Sequence, residues 1–429
     1  MNERQRVVVV GGGYAGAMAA ARLVRNPQLE VTVVAPAAVL VHRVRLYRLV
    51  ARRPDRRLAF SLTSLLGGRA RVVDGRVSTV DVQARVVHTD AGPLPWDWLV
   101  VATGSVGLPM AAMARGPLVV EVEPAALADL RKRLPALAAA GARVLVVGAG
   151  TSAVELAATI AADWPGLRVQ MVAPGQPLAA LGGEAMRRAQ GRLQQLGVAW
   201  VQGRVLATDG QGVRLDGGRV LAADVVVWAA GLESRATTVL ANALPSSSSG
   251  EEPWRGDGTS RGDGAPGFGS ARTDGRVPVS ATLQLAESPR VFVVGDAAAV
   301  ATAGGALPMG CKVALPMAAF AADGVQAGVA GVAPRPFAYG DPGTVVAMGG
   351  AWALMVTGVA GPGFWRRGAG AGGLVVAGRW VGLVKWLLCW YVVASIRLQA
   401  SGWLQYRWLR RPLDADPSAS AVSAVRSMA

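Results

Sequence analysis

The sequence predicts an α/β protein in which one strand–turn–helix–strand plan occurs twice, followed by a C-terminal α+β region. Two stretches carry the repeat: residues 7–20 read VVVVGGGYAGAMAA and residues 144–157 read VLVVGAGTSAVELA. Composition agrees with this class, because 52% of the 429 residues are hydrophobic and many are Ala and Val, which suit buried parallel strands. A chain of this length is expected to form two or three domains.

The first copy of the plan starts with a run of valines. Val7–Val10 predicts a strand buried on both faces, residues 17–24 have helical composition, and VTVVAP at 31–36 predicts a second buried strand. Three glycines stand before the helix at GxGxxG spacing, Gly11, Gly13 and Gly16. In a Rossmann-like unit they make the tight turn, let the backbone approach a pyrophosphate, and let the helix pack closely on the strand. The phosphates then lie at the helix N-terminus, which favours negative charge.

The second copy follows the same order. Residues 143–147 predict the first strand, Glu155 opens a helix that runs to about Ala162, and VQMVAP at 169–174 predicts the second strand. The loop positions are Gly148, Gly150 and Ala153. Two Rossmann-like units with intact phosphate loops predict that the chain binds two dinucleotides.

The similarity extends beyond the loops. Residues 70–105 and residues 198–232 both read as a β-meander with Gly turns, and they end in Ala-Thr-Gly and Ala-Ala-Gly. A further strand in residues 288–300 ends in Gly295 and Asp296. We expect this aspartate to begin a helix of small residues, where a carboxylate can stabilise the helix N-terminus and accept hydrogen bonds from ligand hydroxyls.

Charge and cysteine content limit the function classes. The formal net charge is +16, which favours anionic partners such as dinucleotide phosphates, acidic lipids or an acidic protein. We identify no nucleic-acid motif and expect no nucleic-acid partner. Cys311 and Cys389 form neither a CxxC nor a zinc spacing, so no metal site is predicted. Because the first strand begins near Arg6, we expect no signal peptide and a cytoplasmic protein.

Taken together, these motifs resemble the FAD-dependent pyridine nucleotide–disulfide oxidoreductase superfamily. The resemblance is carried in order by residues 6–16, 97–104, 143–155, 224–231 and 291–296. It implies that the first loop binds FAD and the second binds NADH or NADPH. The implied FAD contacts are Gly11, Gly13, Tyr14, Ala15, Gly16, Thr103, Gly104, Gly295 and Asp296. The implied nicotinamide-nucleotide contacts are Gly148, Gly150, Thr151, Ser152, Glu155 and Gly231.

Within the superfamily, the chain is most similar to type II NADH dehydrogenases, the single-subunit NADH:quinone oxidoreductases. VVWAAGL at 226–232 and the loop from Gly148 to Glu155 carry this similarity. Disulfide reductases need a cysteine pair beside the flavin, and a single cysteine cannot cycle between dithiol and disulfide. The resemblance thus implies hydride transfer from NAD(P)H to FAD and then electron transfer to an acceptor, which we expect to be a quinone. Alternatives are a ferredoxin-reductase-like or biosynthetic flavoprotein, and a low-turnover nucleotide sensor.

Several positions depart from the family pattern or carry a further role. The acid that usually ends the second strand is replaced by Ala35-Pro36 and Ala173-Pro174, which leaves the choice between NADH and NADPH open. Glu155 is predicted to orient the nicotinamide, and Lys312 to stabilise an anionic reduced flavin. Arg43 is predicted to pair with the FAD pyrophosphate, since a guanidinium matches phosphate oxygens.

The C-terminal region is rich in aromatic and basic residues. The apolar stretch 381–396 would form a helix of about 24 Å, shorter than the roughly 30 Å hydrocarbon core of a bilayer. Tryptophans and arginines across 380–408 are typical of a headgroup interface. We therefore expect peripheral association with the cytoplasmic face of the cell membrane. The alternative is a helix packed on the FAD domain or in a homodimer interface.

These patterns divide the chain into six segments. The predicted boundaries are an FAD-binding domain in two parts (1–110 and 277–335), an NAD(P)H-binding domain (111–244), a disordered linker (245–276), a C-terminal interface or membrane-associating region (336–413) and a disordered tail (414–429).

Overall fold

Two parallel sheets form the centre of the computed structural model. It describes residues 4–55, 57–108, 117–210, 212–243, 274–286, 288–302, 305–358 and 373–413. The predicted tail at 414–429 and most of the predicted linker lie outside these residues. The last three linker positions are described and ordered: the Ser234 amide donates to the Asp274 carbonyl, and Arg276 is buried against the Asp274 carboxylate.

The first sheet carries the first copy of the repeat. Its strands, numbered in chain order along with all others, follow the spatial order β21 (Gln284–Leu285), β22 (Ser288–Val293), β9 (Trp98–Val101), β1 (Gln5–Val10), β2 (Leu29–Ala35) and β5 (Arg71–Asp74). All neighbours pair in parallel except β21 with β22. Val7 to Val10 are all buried, as the valine run predicts.

The second sheet repeats this arrangement with five parallel strands. Their spatial order is β11 (Leu118–Glu121), β18 (Val225–Trp228), β12 (Arg143–Val147), β13 (Arg168–Ala173) and β14 (Ala199–Gln202). The run β18–β12–β13–β14 has the same order as β9–β1–β2–β5. The α/β class with two Rossmann-like units is therefore confirmed.

Smaller sheets flank the two parallel sheets, and all of their strand pairs are antiparallel except β20 with β23, which pair in parallel. The meanders are shorter than predicted, because their outer strands join the parallel sheets. They consist of β6 (Val77–Asp81), β7 (Val86–Thr89) and β8 (Gly92–Pro95), and of β15 (Val205–Asp209), β16 (Gly212–Leu215) and β17 (Val220–Ala222). The two-stranded pairs are β3 (Val39–Val41) with β4 (Ala59–Ser61), β10 (Ser105–Gly107) with β19 (Leu232–Ser234), β20 (Val277–Pro278) with β23 (Ala298–Ala299), and β24 (Ala301–Thr302) with β25 (Gly305–Ala306).

The helices cover the sheets and enclose two main cores. They are α1 (Tyr14–Leu23), α2 (Leu62–Leu65), α3 (Pro124–Ala139), α4 (Thr151–Asp163), α5 (Gly183–Gln195), α6 (Ala236–Val239), α7 (Cys311–Val329) and α8 (Arg379–Ser401). The first sheet packs with α1 and α7, and the second with α3, α4 and α5. Helix α4 begins at Thr151, four residues before the predicted start, because the turn at Gly148 leads directly into it.

One predicted helix is absent from its expected place. Only a single 3-10 turn, Gly295–Ala297, follows β22, and the next residues form the short strand β23. Backbone pairing of Ala298 and Ala299 with Val277 and Pro278 competes with helix formation here. The helix of small residues begins instead at Cys311, as α7.

The C-terminal region has the predicted α+β composition. Strands β26 (Gly343–Ala347), β27 (Ala353–Thr357) and β28 (Val375–Gly378) form an antiparallel sheet, and α8 follows directly. Val346 and Leu354 of this sheet belong to the core of the second unit. Ile396 and Ala400 of α8 belong to the core of the first unit. This region therefore holds the two units together.

Candidate functional site

The first glycine loop has the geometry of a dinucleotide turn. Gly11 has φ +111°, and a Cβ there would collide with the Ala102 carbonyl. A Cβ on Gly16 would collide with the Gly11 carbonyl, which explains the close packing of α1 on β1. A Cβ on Gly13 meets nothing within 4 Å, so the backbone faces open space. Gly11 and Gly16 therefore have the turn and packing roles that the sequence predicts, while the approach of Gly13 to a pyrophosphate stays a prediction.

Other predicted cofactor contacts converge on this loop. Gly295 lies against Ala15, since a Cβ on it would be 2.9 Å from the Ala15 Cβ. The Asp296 carboxylate accepts a hydrogen bond from the Ser105 hydroxyl and another from the Gly310 amide, both at 2.7 Å. Asp296 therefore joins the start of β10 to the start of α7. It does so through Gly310, the residue before that helix, rather than by beginning a helix of its own.

The residues of the first site fit FAD. The Thr103 hydroxyl is buried without a hydrogen-bond partner in the structure, and a Cβ on the adjacent Gly104 would meet only open space. No side chain caps the N-terminus of α1 at Gly13. An orphan hydroxyl, open backbone and uncapped amides are the features that a polar, phosphate-bearing cofactor would complete.

Tyr14 and His42 form a polar pair beside this loop. The Tyr14 hydroxyl lies 3.0 Å from His42 Nδ1 and accepts a hydrogen bond from the Val44 amide at 3.2 Å. Burial first, and then the charge of Arg45, lowers the pKa of His42 to about 4. The imidazole is therefore neutral at pH 7. Sequence reasoning missed His42, although it is one of only two histidines in the chain.

The second glycine loop has the same form. Gly148 has φ +130°, and a Cβ there would lie 2.6 Å from the Ala229 carbonyl oxygen. Gly150 precedes α4 with no side-chain cap and with open space beside its backbone, and Thr151 and Ser152 are exposed in the first helical turn. Ala153 replaces the third glycine and is fully buried. This site is also open at the place where a pyrophosphate would lie.

Gly231 lies where the chain passes between the two units. It has φ +81°, and its carbonyl accepts a hydrogen bond from the Leu108 amide at 3.4 Å. Trp228 Nε1 donates to the Leu108 carbonyl at 2.8 Å. The segment that follows β18 is therefore tied to the segment that follows β10 through Leu108. A contact of Gly231 with a nucleotide stays a prediction.

Glu155 faces the C-terminal region inside the protein. Its carboxylate accepts a hydrogen bond from the Ala347 amide at 3.0 Å and lies 2.8 Å from the Lys385 ammonium. Lys385 also donates to the Val345 carbonyl at 2.8 Å. Burial alone would lower the pKa of Lys385, but the Glu155 charge outweighs it and the net pKa is raised. Sequence reasoning missed Lys385 as the partner, and the role of Glu155 toward the nicotinamide stays a prediction.

Lys312 and Arg43 also have protein partners. The Lys312 ammonium lies 2.7 Å from a carboxylate oxygen of Asp341 and 2.9 Å from the Thr344 hydroxyl. The Arg43 guanidinium forms an exposed ion pair with Glu123 at 2.9 Å. Action of either residue on FAD would require these contacts to be shared or exchanged, so both roles stay predictions.

Neither cysteine provides a reactive thiolate. Cys311 and Cys389 are both free. Burial raises the pKa of the Cys311 thiol far above its ordinary value, and burial is also the main cause of the raised pKa of Cys389. Both sulfurs are therefore protonated at neutral pH, which makes them poor nucleophiles.

Comparison with known proteins agrees with this geometry. Residues 5–250 match the family model described as pyridine nucleotide-disulphide oxidoreductase. The chain is 30% identical over 168 residues to ferroptosis suppressor protein 1 of Taeniopygia guttata, a match that spans 39% of this chain and 43% of that relative. The chain thus aligns with less than half of that relative's length.

Solved structures share the fold. The sulfide:quinone oxidoreductase of Aquifex aeolicus superposes with a TM-score of 0.71 at 18% identity, covering 92% of each chain. A ferredoxin reductase from Rhodopseudomonas palustris superposes with a TM-score of 0.63 at 19% identity, covering 82% of each chain.

Proposed function

This chain belongs to the pyridine nucleotide-disulphide oxidoreductase family, and we propose that it takes hydride from NAD(P)H and passes the electrons to a membrane quinone without a redox-active disulfide. Its membership makes it an FAD-dependent oxidoreductase with a pyridine nucleotide as second cofactor. The observation that carries the proposal is the position of α8, which presents an apolar outer face while its inner face packs against the rest of the protein.

The chain's own residues supply binding and orientation. FAD, when bound, supplies the chemistry of accepting a hydride and releasing electrons one or two at a time. The open backbone at Gly13 and Gly104 receives its polar part, and Thr103 offers the unpaired hydroxyl. Gly150 offers the matching open backbone to NAD(P)H at the N-terminus of α4.

The state of the cysteines favours direct transfer from flavin to acceptor. A dithiol relay requires a thiolate that attacks a disulfide. Cys311 and Cys389 are the chain's only cysteines, and burial keeps both thiols protonated. The acceptor must therefore approach the flavin itself, without an intervening cysteine pair.

The outer face of α8 is unusually apolar. Trp380, Leu383, Trp386, Leu387, Trp390 and Tyr391 are all at least 40% exposed, and Trp403 just beyond the helix is 87% exposed. Soluble monomers rarely leave a contiguous apolar patch of this kind uncovered. The helix has 23 residues, seven more than the predicted stretch, and at about 35 Å it is long and apolar enough to cross a bilayer.

The packing of α8 supports a helix that lies on a membrane surface over one that crosses the bilayer. Val381, Cys389, Ile396 and Ala400 are buried against the rest of the protein, so one side of the helix cannot contact lipid. Residues 342–413 contain eight basic residues and no Asp or Glu. This combination fits a monotopic helix on anionic lipid headgroups, with its apolar face in the interface.

The same helix lies close to the FAD loop. Cys389 is one of its buried residues, and its backbone lies near enough to His42 to raise the pKa of that imidazole slightly against the larger effect of burial. His42 in turn contacts Tyr14 of the loop. A quinone that leaves the bilayer at α8 would therefore arrive beside the flavin site, which favours a lipid-soluble acceptor over a soluble one.

A purified, FAD-loaded protein tests the proposal. We expect a flavin absorbance spectrum that bleaches on addition of NAD(P)H and recovers on addition of a menaquinone analogue. Steady turnover with ferredoxin and none with the quinone would favour the ferredoxin-reductase alternative. Bleaching without turnover on either acceptor would favour the sensor, and protein that takes up no FAD would contradict the family role as well.

A further inference from the structure

The two units differ at one matched position beside the nucleotide sites. In the first unit, Ala35 at the end of β2 pairs with Asp74 on β5. In the second unit, Ala173 at the end of β13 pairs with Gln202 on β14. The chain continues as DGRV at 74–77 and as QGRV at 202–205. The repeat is therefore preserved around this point, while a carboxylate in one copy becomes an amide in the other.

In the first unit, Asp74 supplies the acid that β2 lacks. Its carboxylate accepts a hydrogen bond from the Ala37 amide at 2.6 Å. It lines a cleft of about 530 Å³ with Pro36, Ala37 and Gly75 at the ends of β2 and β5. A carboxylate at this edge of a Rossmann-like sheet binds ribose hydroxyls. The first unit thus keeps a site for an unphosphorylated ribose, as FAD requires.

The second unit has an amide, Gln202, at the position that Asp74 occupies in the first unit. Gln202 Nε2 donates to the Pro174 carbonyl at 3.2 Å, and Gln176 pairs with Gln190 at 2.9 Å. From Arg168 to Arg204 the sequence holds five arginines and one glutamate, a net charge of +4. That glutamate, Glu184, is already paired with Arg187 and Arg188 at 2.6 and 2.7 Å.

Arg204 stands two residues after Gln202, at the end of β14. Its side chain is exposed, and its amide donates to the Asp216 carboxylate at 2.8 Å, which fixes the backbone at the strand end. A guanidinium can bind a phosphate group through two parallel hydrogen bonds. A carboxylate at position 202 would repel that phosphate, whereas the amide does not.

We infer that the pyridine nucleotide of this protein is NADPH, with Gln202 and Arg204 at its ribose 2′-phosphate. This inference rests on the proposed function of the second loop as the NAD(P)H site and names the nucleotide that the site prefers. It also explains why the two copies of the repeat diverge at this position: one must bind a ribose hydroxyl and the other a ribose phosphate.

Binding of two nucleotide fragments to the FAD-loaded full-length protein tests the inference without turnover. We expect calorimetry to give a dissociation constant for 2′-phospho-ADP-ribose that is roughly tenfold lower than that for ADP-ribose. Gln202→Asp, which restores the DGRV sequence of the first unit, should reverse this order. Arg204→Gln should weaken only the phosphorylated ligand, and the neutral control Gln202→Ser should keep the wild-type order.

The experiment distinguishes a failure of the NADPH inference from a failure of the proposed function. Equal or tighter binding of ADP-ribose to the wild type, or an unchanged order in Gln202→Asp, would overturn the inference while leaving the proposed function intact. If neither fragment binds to protein that carries FAD, the second loop is not a nucleotide site, and the proposed function fails together with the inference.

Discussion

The Lys385 ammonium lies 2.8 Å from the Glu155 carboxylate and joins α8 to α4 in a buried ion pair. Both residues are largely removed from solvent, and the ammonium also lies 5.8 Å from the centre of the Tyr47 ring. The pair connects the helix that presents an apolar outer face to the helix that begins at the second phosphate loop. The ion pair therefore links the position of α8 to that of α4, the helix that follows the second glycine loop.

Removal of one partner should destabilise the protein. Lys385→Met leaves the Glu155 carboxylate buried without its counter-ion, and we expect a loss of about 3–5 kcal/mol in the free energy of unfolding. The double variant Glu155→Gln with Lys385→Met should recover part of that loss, because no charge is then buried. Urea unfolding of the FAD-loaded protein measures both. A double variant less stable than Lys385→Met would contradict this account of the pair.

Adding a side chain at the open glycine of each loop should block one nucleotide site and leave the other intact. Gly13→Val places a side chain where the FAD pyrophosphate would lie, and we expect folded but colourless protein. Gly150→Val does the same at the second loop, and this protein should keep its flavin spectrum but no longer bleach with NAD(P)H. Absorbance spectra and far-UV circular dichroism distinguish these results. Loss of flavin from Gly150→Val at normal folded content would contradict the assignment of the loops.

A matched control exists within the first loop. Gly16→Ala adds a methyl group that would collide with the Gly11 carbonyl, so its effect should fall on packing of α1 against β1. With FAD removed from both variants, so that lost cofactor binding does not contribute, we expect Gly16→Ala to have lower thermal stability than Gly13→Val. Equal thermal stability of the two variants would mean that the glycines do not have separate roles.

The repeat could be predicted because its determinants are local. Valine runs specify buried strands, and GxGxxG specifies a turn whose carbonyl contacts allow no Cβ at Gly11. The helix expected after Asp296 was wrong for a non-local reason. Ala298 and Ala299 are good helix formers, but strand β20 from another part of the chain offers them backbone pairing, and tertiary contacts override helix propensity.

Partners of charged residues could not be predicted for the same reason. Glu155 is separated from Lys385 by 230 positions, and Lys312 from Asp341 by 29, so neither pairing leaves a trace in local periodicity. The Asp74 and Gln202 difference was visible as DGRV and QGRV in the sequence. The sequence did not show where these residues lie. The strand register places both of them opposite the alanines that replace the usual acid.

Acid should destabilise the protein through His42. Its pKa in the folded state is about 4, against 6.5 for an ordinary histidine, so the unfolded chain binds more protons between these values. The contribution of His42 to the free energy of unfolding is therefore fully present above pH 6.5. It is lost as the pH decreases toward 4, by an amount on the order of 3 kcal/mol. Urea unfolding at a series of pH values should show a shallower slope in this window for His42→Asn. An identical slope would mean that another group causes the acid sensitivity.

Charge on the outer face of α8 should abolish membrane association. Trp390 is 60% exposed on that face, and Trp390→Glu replaces an interfacial aromatic ring with a group that anionic headgroups repel. We expect at least roughly tenfold weaker cosedimentation with vesicles that contain anionic lipid.

Val332→Glu is the matched control, because Val332 is 61% exposed but lies after α7, away from this face. Flavin content and NAD(P)H bleaching in detergent should be unchanged in both, since neither residue contacts the loops. Equal vesicle binding by the two variants would contradict membrane association through this face, and sedimentation would then test whether a second copy of the chain covers it.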